Sequence, residues 1–271
     1  MKEAVVMFSG GQDSTTVLSM AIDLYRVQNV LAVTADYGQR HSREIDAARV
    51  ICASLGVDHE VVPMSGILAG TSPLTDKNAE LETYESPEAM EQIIGDRREK
   101  TFVPMRNPLF FCVAANRAAV HGASRVYTGI CQEDNANYDD CREVFRMAFQ
   151  HMMDTALGSD HRPEVKPINL IAPLMYLSKA ETVKMAMKTT TGYEQLAFSH
   201  TAYSGEFPPV TQDHATVLRA DGFRKANVPD PLILRAVWYS QLSMPEEPHY
   251  QRFAETMRKA PTFREALVKI R

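Results

Sequence analysis

The stretch Met7-Phe8-Ser9-Gly10-Gly11-Gln12-Asp13-Ser14-Thr15-Thr16 places two adjacent glycines, a carboxylate and a run of hydroxyls directly after the apolar segment Ala4 to Phe8. Glycines at the end of a buried strand let backbone N–H groups approach an anion with no side chain in the way. A helix beginning around Ser14-Thr15 would aim its unpaired N–H groups at the same point. Ser9, Ser14, Thr15 and Thr16 would add hydroxyl donors. The chemistry is that of a small cradle for phosphate or pyrophosphate. The stretch lacks the lysine of a G-x-x-x-x-G-K-S/T loop and the spacing of G-x-G-x-x-G. The plain alternative is a tight turn in which Asp13 or Ser14 caps a helix.

A cradle of this kind needs a strand before it and a helix after it, and the flanking sequence supplies both. Ala4–Phe8, Val30–Ala35, His59–Val62, Arg125–Thr128 and Pro167–Ala172 read as short strands. Thr15–Tyr25, Ser42–Leu55, Pro108–Val120, Arg142–Ala156 and Lys179–Thr189 read as helices between and after them. This alternation predicts an α/β fold, a parallel Rossmann-like sheet with helices on its faces. Ligands bind such sheets at the carboxyl ends of strands. Residues 66–100, polar and charged with Pro73 and Pro87, are expected to be irregular, a mobile excursion or a lid. The pattern breaks near Leu196, so the expected division is an α/β domain over 1–195 and a small, mostly helical module over 196–271.

Composition limits the function classes. Apolar residues make up 45% of 271, enough for a real core, and the formal net charge of -5 gives no basic field for nucleic acid. No apolar run approaches the length of a membrane span, about 18 residues. The start of the chain does not resemble a secretory signal, so the cytoplasm is the expected compartment. The four cysteines (Cys52, Cys112, Cys131, Cys141) form no Cys-x-x-Cys pair and are expected to be free thiols.

Ser9-Gly-Gly-x-Asp13-Ser14 resembles the pyrophosphate loop of the N-type ATP pyrophosphatases. Within that superfamily the chain most resembles the QueC family, the 7-cyano-7-deazaguanine synthases. The resemblance rests on several stretches in family order over residues 4 to about 232. They are Asp36-Tyr-Gly-Gln-Arg-His41, Thr101-Phe-Val-Pro-Met-Arg-Asn107, and Gly129 to Glu133 with Asp134, Tyr138 and Asp139-Asp-Cys-Arg-Glu-Val-Phe145. Ala172-Pro-Leu-Met-Tyr-Leu-Ser-Lys179 and Leu218-Arg-Ala-Asp-Gly-Phe223 complete the set.

The resemblance implies an ATP-dependent ligase acting on 7-carboxy-7-deazaguanine and ammonia with Mg²⁺. The carboxylate is adenylated and converted by ammonia to the amide. The amide is then adenylated and loses AMP to give the nitrile. It implies that Ser9, Gly10, Gly11, Gln12, Asp13, Ser14 and Thr15 hold the β and γ phosphates, with Gly129 nearby. Asp13 would position Mg²⁺ or cap the helix. Asp36 and Tyr37 would receive the adenosine or form a turn. Arg40 and His41 would reach phosphate or lie exposed. Arg106 would bind substrate or the α-phosphate, and Asn107 would contact substrate or cap the helix near Pro108. Glu133 and Asp134 would accept N–H donors of the guanine-like edge. Tyr138 would stack on the deazapurine or pack in a loop. Asp140 and Arg142 would bind substrate around Cys141, for which no nucleophilic role is implied. Lys179, placed where the helix dipole disfavours a cation, would neutralise phosphate. A homodimer is the implied assembly.

One part of the family pattern is missing. QueC enzymes carry four cysteines near the C-terminus that bind structural zinc. Aligned on Leu218-Arg219, the last three fall on Val210, Asp213 and Thr216, and the first on Ala202 or Thr201. Zinc is therefore expected to be absent. His200, Asp213 and His214 form no regular metal-binding pattern, and the expected substitute is apolar packing by Pro208, Pro209, Val210, Val217 and Leu218. Trp238, Tyr239 and Phe253 are expected to help stabilise the module. Three readings remain: a zinc-free nitrile synthase, a related ligase ending at the amide or joining a deazaguanine to a protein amine, and a non-catalytic binding relative. Retention of the loop, Arg106, Glu133 and Lys179 argues against the last.

Overall fold

The computed structural model describes residues 1–40, 42–70, 72–76, 78–132, 138–209 and 211–271. The strands are β1 (Ala4–Met7), β2 (Val30–Asp36), β3 (Asp58–Pro63), β4 (Arg125–Tyr127) and β5 (Asn169–Ile171). Among the described residues they form one sheet in the order β3-β2-β1-β4-β5, with every pairing parallel. Strand β1 is central and fully buried because its neighbours and the helices cover both its faces. The order reverses between β1 and β4, which opens a crevice at their carboxyl ends.

The helices are α1 (Gln12–Tyr25), α2 (Arg43–Leu55), α3 (Pro87–Ile94), α4 (Arg106–His121), α5 (Glu143–Leu157), α6 (Lys179–Lys188) and α7 (Gly192–Leu196). After them come α8 (His214–Ala226), α9 (Pro231–Trp238), α10 (Pro248–Gln251), α11 (Ala254–Lys259) and α12 (Phe263–Ile270). Strand alternation sends Val5, Leu31 and Val33 to one face, where Phe111 and Ala114 of α4 and Phe149 of α5 cover them. Ala4, Val6 and Ala32 face the other way, onto Val17 and Leu18 of α1 and Ala48 and Ile51 of α2. No helix of the described residues is long and apolar enough to cross a membrane.

Two helices start earlier than their apolar spacing predicts. Helix α1 begins at Gln12, because the Thr15 hydroxyl donates to the Gly11 carbonyl at 2.7 Å and closes a turn there. Helix α4 begins at Arg106, behind Met105 at φ 63°, and that start brings the arginine into the first turn.

Residues 66–100 are not a loose excursion. They include α3, whose N-cap Ser86 accepts from the Ala89 N–H at 3.1 Å with Pro87 following it. Met90 and Ile94 of α3 pack with Tyr84 against Val217 of α8. Glu99 is 2% exposed and accepts from the Thr101 N–H at 2.5 Å, the Thr101 hydroxyl, Tyr84 at 3.3 Å and Tyr138 at 3.0 Å. That buried carboxylate pins the end of the segment to the site.

Past α6, a third apolar cluster draws Val183, Tyr193 and Leu196 together with Phe223, Leu234 and Leu267. Position 195/196 falls inside α7, and this cluster takes residues from both sides of it. Trp238 and Phe253 pack on the cluster, whereas Tyr239 is exposed. The stretch before α8 is held by polar bonds rather than by the expected apolar filling, although Val217 is buried; Val210 lies outside the described residues. Arg219 makes a buried fork with Asp230 at 2.6 and 2.8 Å and also donates to Ser199, Thr201 and the Leu196 carbonyl.

Arg219→Met leaves the Asp230 carboxylate buried without its cation. Urea unfolding should show a loss of about 3–5 kcal/mol; a loss below about 1 kcal/mol would mean that Asp230 is solvated and the fork is not structural.

Candidate active site

The crevice at the carboxyl ends of β1 and β4 is a cavity of about 320 Å³. Ser9, Gly11, Gln12, Asp13 and Ser14 form one wall, with Gly129 of the β4 loop beside them. Gly11 is the N-cap of α1, extended and without a side-chain cap. The first-turn N–H groups therefore face a place that suits an anion. The Ser9 and Ser14 hydroxyls lie 3.0 Å apart, and Ser9 Oγ accepts the Gly11 N–H at 3.2 Å.

Lys179 reaches the cavity from beyond the edge strand β5. Its Nζ donates to Asp13 Oδ2 at 2.9 Å. It is the first residue of α6, behind a Ser178–Glu181 capping box that satisfies the helix start without it. The backbone there is fixed, and the cation extends into the cavity. Gly222 of α8 explains how its stem passes: a Cβ at Gly222 would lie 2.4 Å from Lys179 Cγ. Asp13 Oδ1 and Gln12 Nε2 are buried with no protein partner. Orphaned polar atoms at an anion cradle suit a cation and a phosphate oxygen respectively.

The far wall carries Arg106, Tyr37, Tyr138 and Tyr203. The Arg106 guanidinium makes no ion pair among the described residues and lies close enough to the Tyr37 phenol to act on it electrostatically. Burial pushes that phenol up to about 12. Tyr138 lines the cavity with its ring, while its hydroxyl is held by Thr101 at 2.6 Å and by Glu99, and Phe102 packs on it at 5.4 Å. Glu44, from the first turn of α2, also faces the cavity. Burial pushes its carboxyl up to about 7; Arg106 opposes the shift and Asp213 adds to it.

Several sequence expectations move. Gly10 does not line the cavity. At φ +83° it lets α2 approach, since a Cβ there would sit 2.5 Å from the Glu44 carbonyl oxygen. The Thr15 and Thr16 hydroxyls bond the carbonyls of Gly11 and Gln12 and so are engaged within α1. Asp36 turns away and accepts the Gly38 N–H at 3.4 Å. Asn107 lines the cavity but does not cap α4; its N–H is accepted by Asp140 at 3.4 Å, and its amide donates to the Asp140 carbonyl. Asp140 thus stands behind the cavity, with burial raising its pKa. Burial also pushes the Cys141 thiol up to about 12, which suits packing rather than attack. Arg142 is exposed, 3.9 Å from Asp139. Arg40 lines the cavity while donating to the Ala79 carbonyl at 2.6 Å. Glu133, Asp134 and His41 lie outside the described residues.

Sequence reading did not find Glu44, Tyr203 or His214 at the cavity. Glu44 follows the carboxyl end of β2 by eight positions, a signal available in principle. Tyr203 and His214 come from the stretch after α7 and from the start of α8, and no local pattern announces them. The residues at the family's zinc positions do not fit that metal. No thiol is present, the His200 ring nitrogen bonds the Ala202 carbonyl at 2.9 Å, and both Asp213 oxygens accept hydrogen bonds. No cluster of three ligating side chains occurs among the described residues.

A model of the family "Queuosine biosynthesis protein QueC" matches residues 3–227. The 7-cyano-7-deazaguanine synthase of Gloeobacter violaceus is 43% identical over 235 residues, covering 86% of this chain and 96% of that protein. The enzyme of the same name from Laribacter hongkongensis is 42% identical over 235 residues, 86% of this chain and 95% of its own. Among solved structures, the U34-tRNA thiolase NcsA of Methanococcus maripaludis aligns at 15% identity and a TM-score of 0.40, over 91% of this chain and 74% of its own. The matched span holds the glycine loop, Arg106, Lys179 and the start of the C-terminal module, and the chain belongs to the QueC family.

Proposed function

We propose that this chain is a 7-cyano-7-deazaguanine synthase, which uses ATP and ammonia to turn the carboxylate of 7-carboxy-7-deazaguanine into a nitrile. The observation that carries the reading is one cavity with the open start of α1 and the Lys179–Asp13 pair on one wall and Arg106 on the other. A carboxylate is a weak electrophile, and transfer of AMP to its oxygen turns that oxygen into a leaving group. The reaction therefore needs a carboxylate and a triphosphate, both anionic, held in contact. Backbone N–H groups at the start of α1 would hold the terminal phosphates. Lys179 would follow the negative charge that develops on pyrophosphate as it leaves. Arg106 would hold the substrate carboxylate against the α-phosphate.

Asp13 Oδ1 is the atom suited to Mg²⁺, which would supply charge neutralisation on the phosphates when bound. Tyr138, fixed by Glu99, offers its ring to the deazapurine. The purine edge stays assigned to Glu133 and Asp134 by the family resemblance. The homodimer is part of the same reading, and light scattering checks it.

Mass spectrometry of the purified protein with 7-carboxy-7-deazaguanine, Mg-ATP and ammonium should show the nitrile, with two AMP formed for each. Accumulation of amide alone, or AMP release independent of ammonium, would overturn the reading. Lys179→Ala should lower kcat by about 100-fold or more. Gly222→Ala should lower it in the same direction by displacing the lysine stem, and should have no further effect in the Lys179→Ala background.

Glu44 gives a pH-dependent outcome. Its folded pKa, about 7, lies above the usual carboxylate value, so the stability it contributes is full below about pH 4 and lost as pH rises through 7. Glu44→Gln mimics the protonated form. Its stability relative to the parent should rise by on the order of 3 kcal/mol between pH 4 and pH 8; a pH-independent difference in urea unfolding would refute the raised pKa.

A further inference from the structure

The segment between α7 and α8 reaches the active site from outside the sheet, and its bonds converge on a single side chain. Asp213 is 1% exposed and caps α8, with Oδ1 accepting the Thr216 N–H at 2.9 Å. Its Oδ2 accepts the Tyr203 N–H at 2.7 Å and the Thr211 hydroxyl at 3.1 Å. One carboxylate thus joins Tyr203 and Thr211 of the segment to the helix that follows. Arg219, one turn or more further along α8, donates to the Ser199 and Thr201 hydroxyls at 2.8 Å each and secures the beginning of the same segment. On the other side the His200 N–H donates to the Gly10 carbonyl at 2.9 Å, and Tyr203 and His214 line the cavity.

In four-cysteine QueC relatives a zinc ion would tie this stretch together. Here the aligned positions carry no sulfur. Two of them, Asp213 and Thr216, are hydrogen-bonded to each other. The carboxylate oxygens that a metal would need are already taken by N–H and O–H donors. A buried carboxylate with three donors is well satisfied, and hydrogen bonds to an ionised acceptor are the strong kind. Geometry therefore supplies a local replacement at the position where the thiolates are missing.

We propose that Asp213 is a positioning residue that does by hydrogen bonds what zinc does in those relatives: it ties Tyr203 and Thr211 to the start of α8 and sets the place of Tyr203 opposite the glycine loop, so that the chain folds and works without zinc. The part concerning turnover rests on the synthase reading; the part concerning metal and folding does not.

Asp213→Asn separates the two roles of the carboxylate. Asparagine is an equally good N-cap, so the Thr216 bond survives, but one oxygen becomes an NH₂ group facing the Tyr203 N–H. The test compares this variant and Asp213→Ala with the parent by zinc content, by melting with and without a strong chelator, and by KM for each substrate. The parent should hold far less than one zinc per chain and melt at the same temperature with chelator. Asp213→Asn keeps the cap but loses one buried charge-assisted bond, so it should melt modestly below the parent and raise KM for the deazaguanine acid about tenfold, with KM for ATP within about twofold. Asp213→Ala should also lose its cap and melt lower. One zinc per chain, with melting lowered by chelator, would overturn the metal-free reading. A KM unchanged in Asp213→Asn, or raised equally for both substrates, would overturn the positioning role. If the parent fails to turn over the deazaguanine acid, the synthase reading falls, while zinc content and melting still decide whether Asp213 replaces the metal.

Discussion

A helix that starts inside a protein with no side chain over its first N–H groups imposes a constraint on everything near it. Those donors carry partial positive charge and need an acceptor. At the start of α1 the chain supplies none from a side chain, because Gly11 is the cap and Thr15 and Thr16 bond backward into the helix. The surrounding structure keeps that end open and precisely backed. Gly10 admits α2 at a distance that no Cβ would allow, and the His200 N–H holds the Gly10 carbonyl from the other side. The sheet order places this open end at the crevice between β1 and β4, where a ligand could supply the acceptor.

Charge in the cavity follows from the same constraint. A lone lysine near a helix start would repel the dipole of its own helix and of α1. Asp13 relieves this by pairing with Lys179 at 2.9 Å. The pair leaves one carboxylate oxygen without a protein partner, which makes it a ready site for exchange when phosphate and a cation arrive. Arg106 stands on the opposite wall among the phenols of Tyr37, Tyr138 and Tyr203, and it makes no ion pair among the described residues, although its charge is felt by the buried Glu44 and Asp140 carboxyls. The two cations thus differ in setting: Lys179 is paired with an acid in hydrogen-bond contact, whereas Arg106 has no such pair among the described residues.

Much of this was legible in the sequence, for physical reasons. Short apolar runs ending in Ser-Gly-Gly, Asp-Tyr-Gly and Tyr-Thr-Gly signal buried parallel strands and the loops that follow them, and the strand ends locate the cavity. What the sequence hid depends on direction rather than type. Thr15, Asp36, Asp140 and Arg142 carry suitable groups at suitable places in the chain, yet one turn of helix or one carbonyl decides whether the group faces ligand or backbone. Helix α3 was obscured because its buried stripe is as short as Met90 and Ile94 and lies among charges. Glu99 reads as one more charge in Arg97-Arg98-Glu99-Lys100, and its burial depends on Tyr84 and Tyr138 arriving from distant positions.

The C-terminal module shows why the loss of four thiolates can leave the nucleotide cradle intact. Zinc in a small module compensates for a core too small to hold itself together. Here the helices after α8 enlarge that core, with Trp238 against Phe263 and Leu267 and Ile270 buried beside Tyr193. The buried Arg219–Asp230 fork fixes the relation of α8 to α9, and Asp230 also caps α9 through the Leu232 N–H at 2.8 Å. With the module secured from behind, the loop before α8 has only its own backbone donors left to satisfy, a task within reach of one well-placed carboxylate. On the proposal for Asp213, the metal's structural work would be divided between a larger apolar core and two buried acids, and neither change touches Asp13, Lys179 or Arg106.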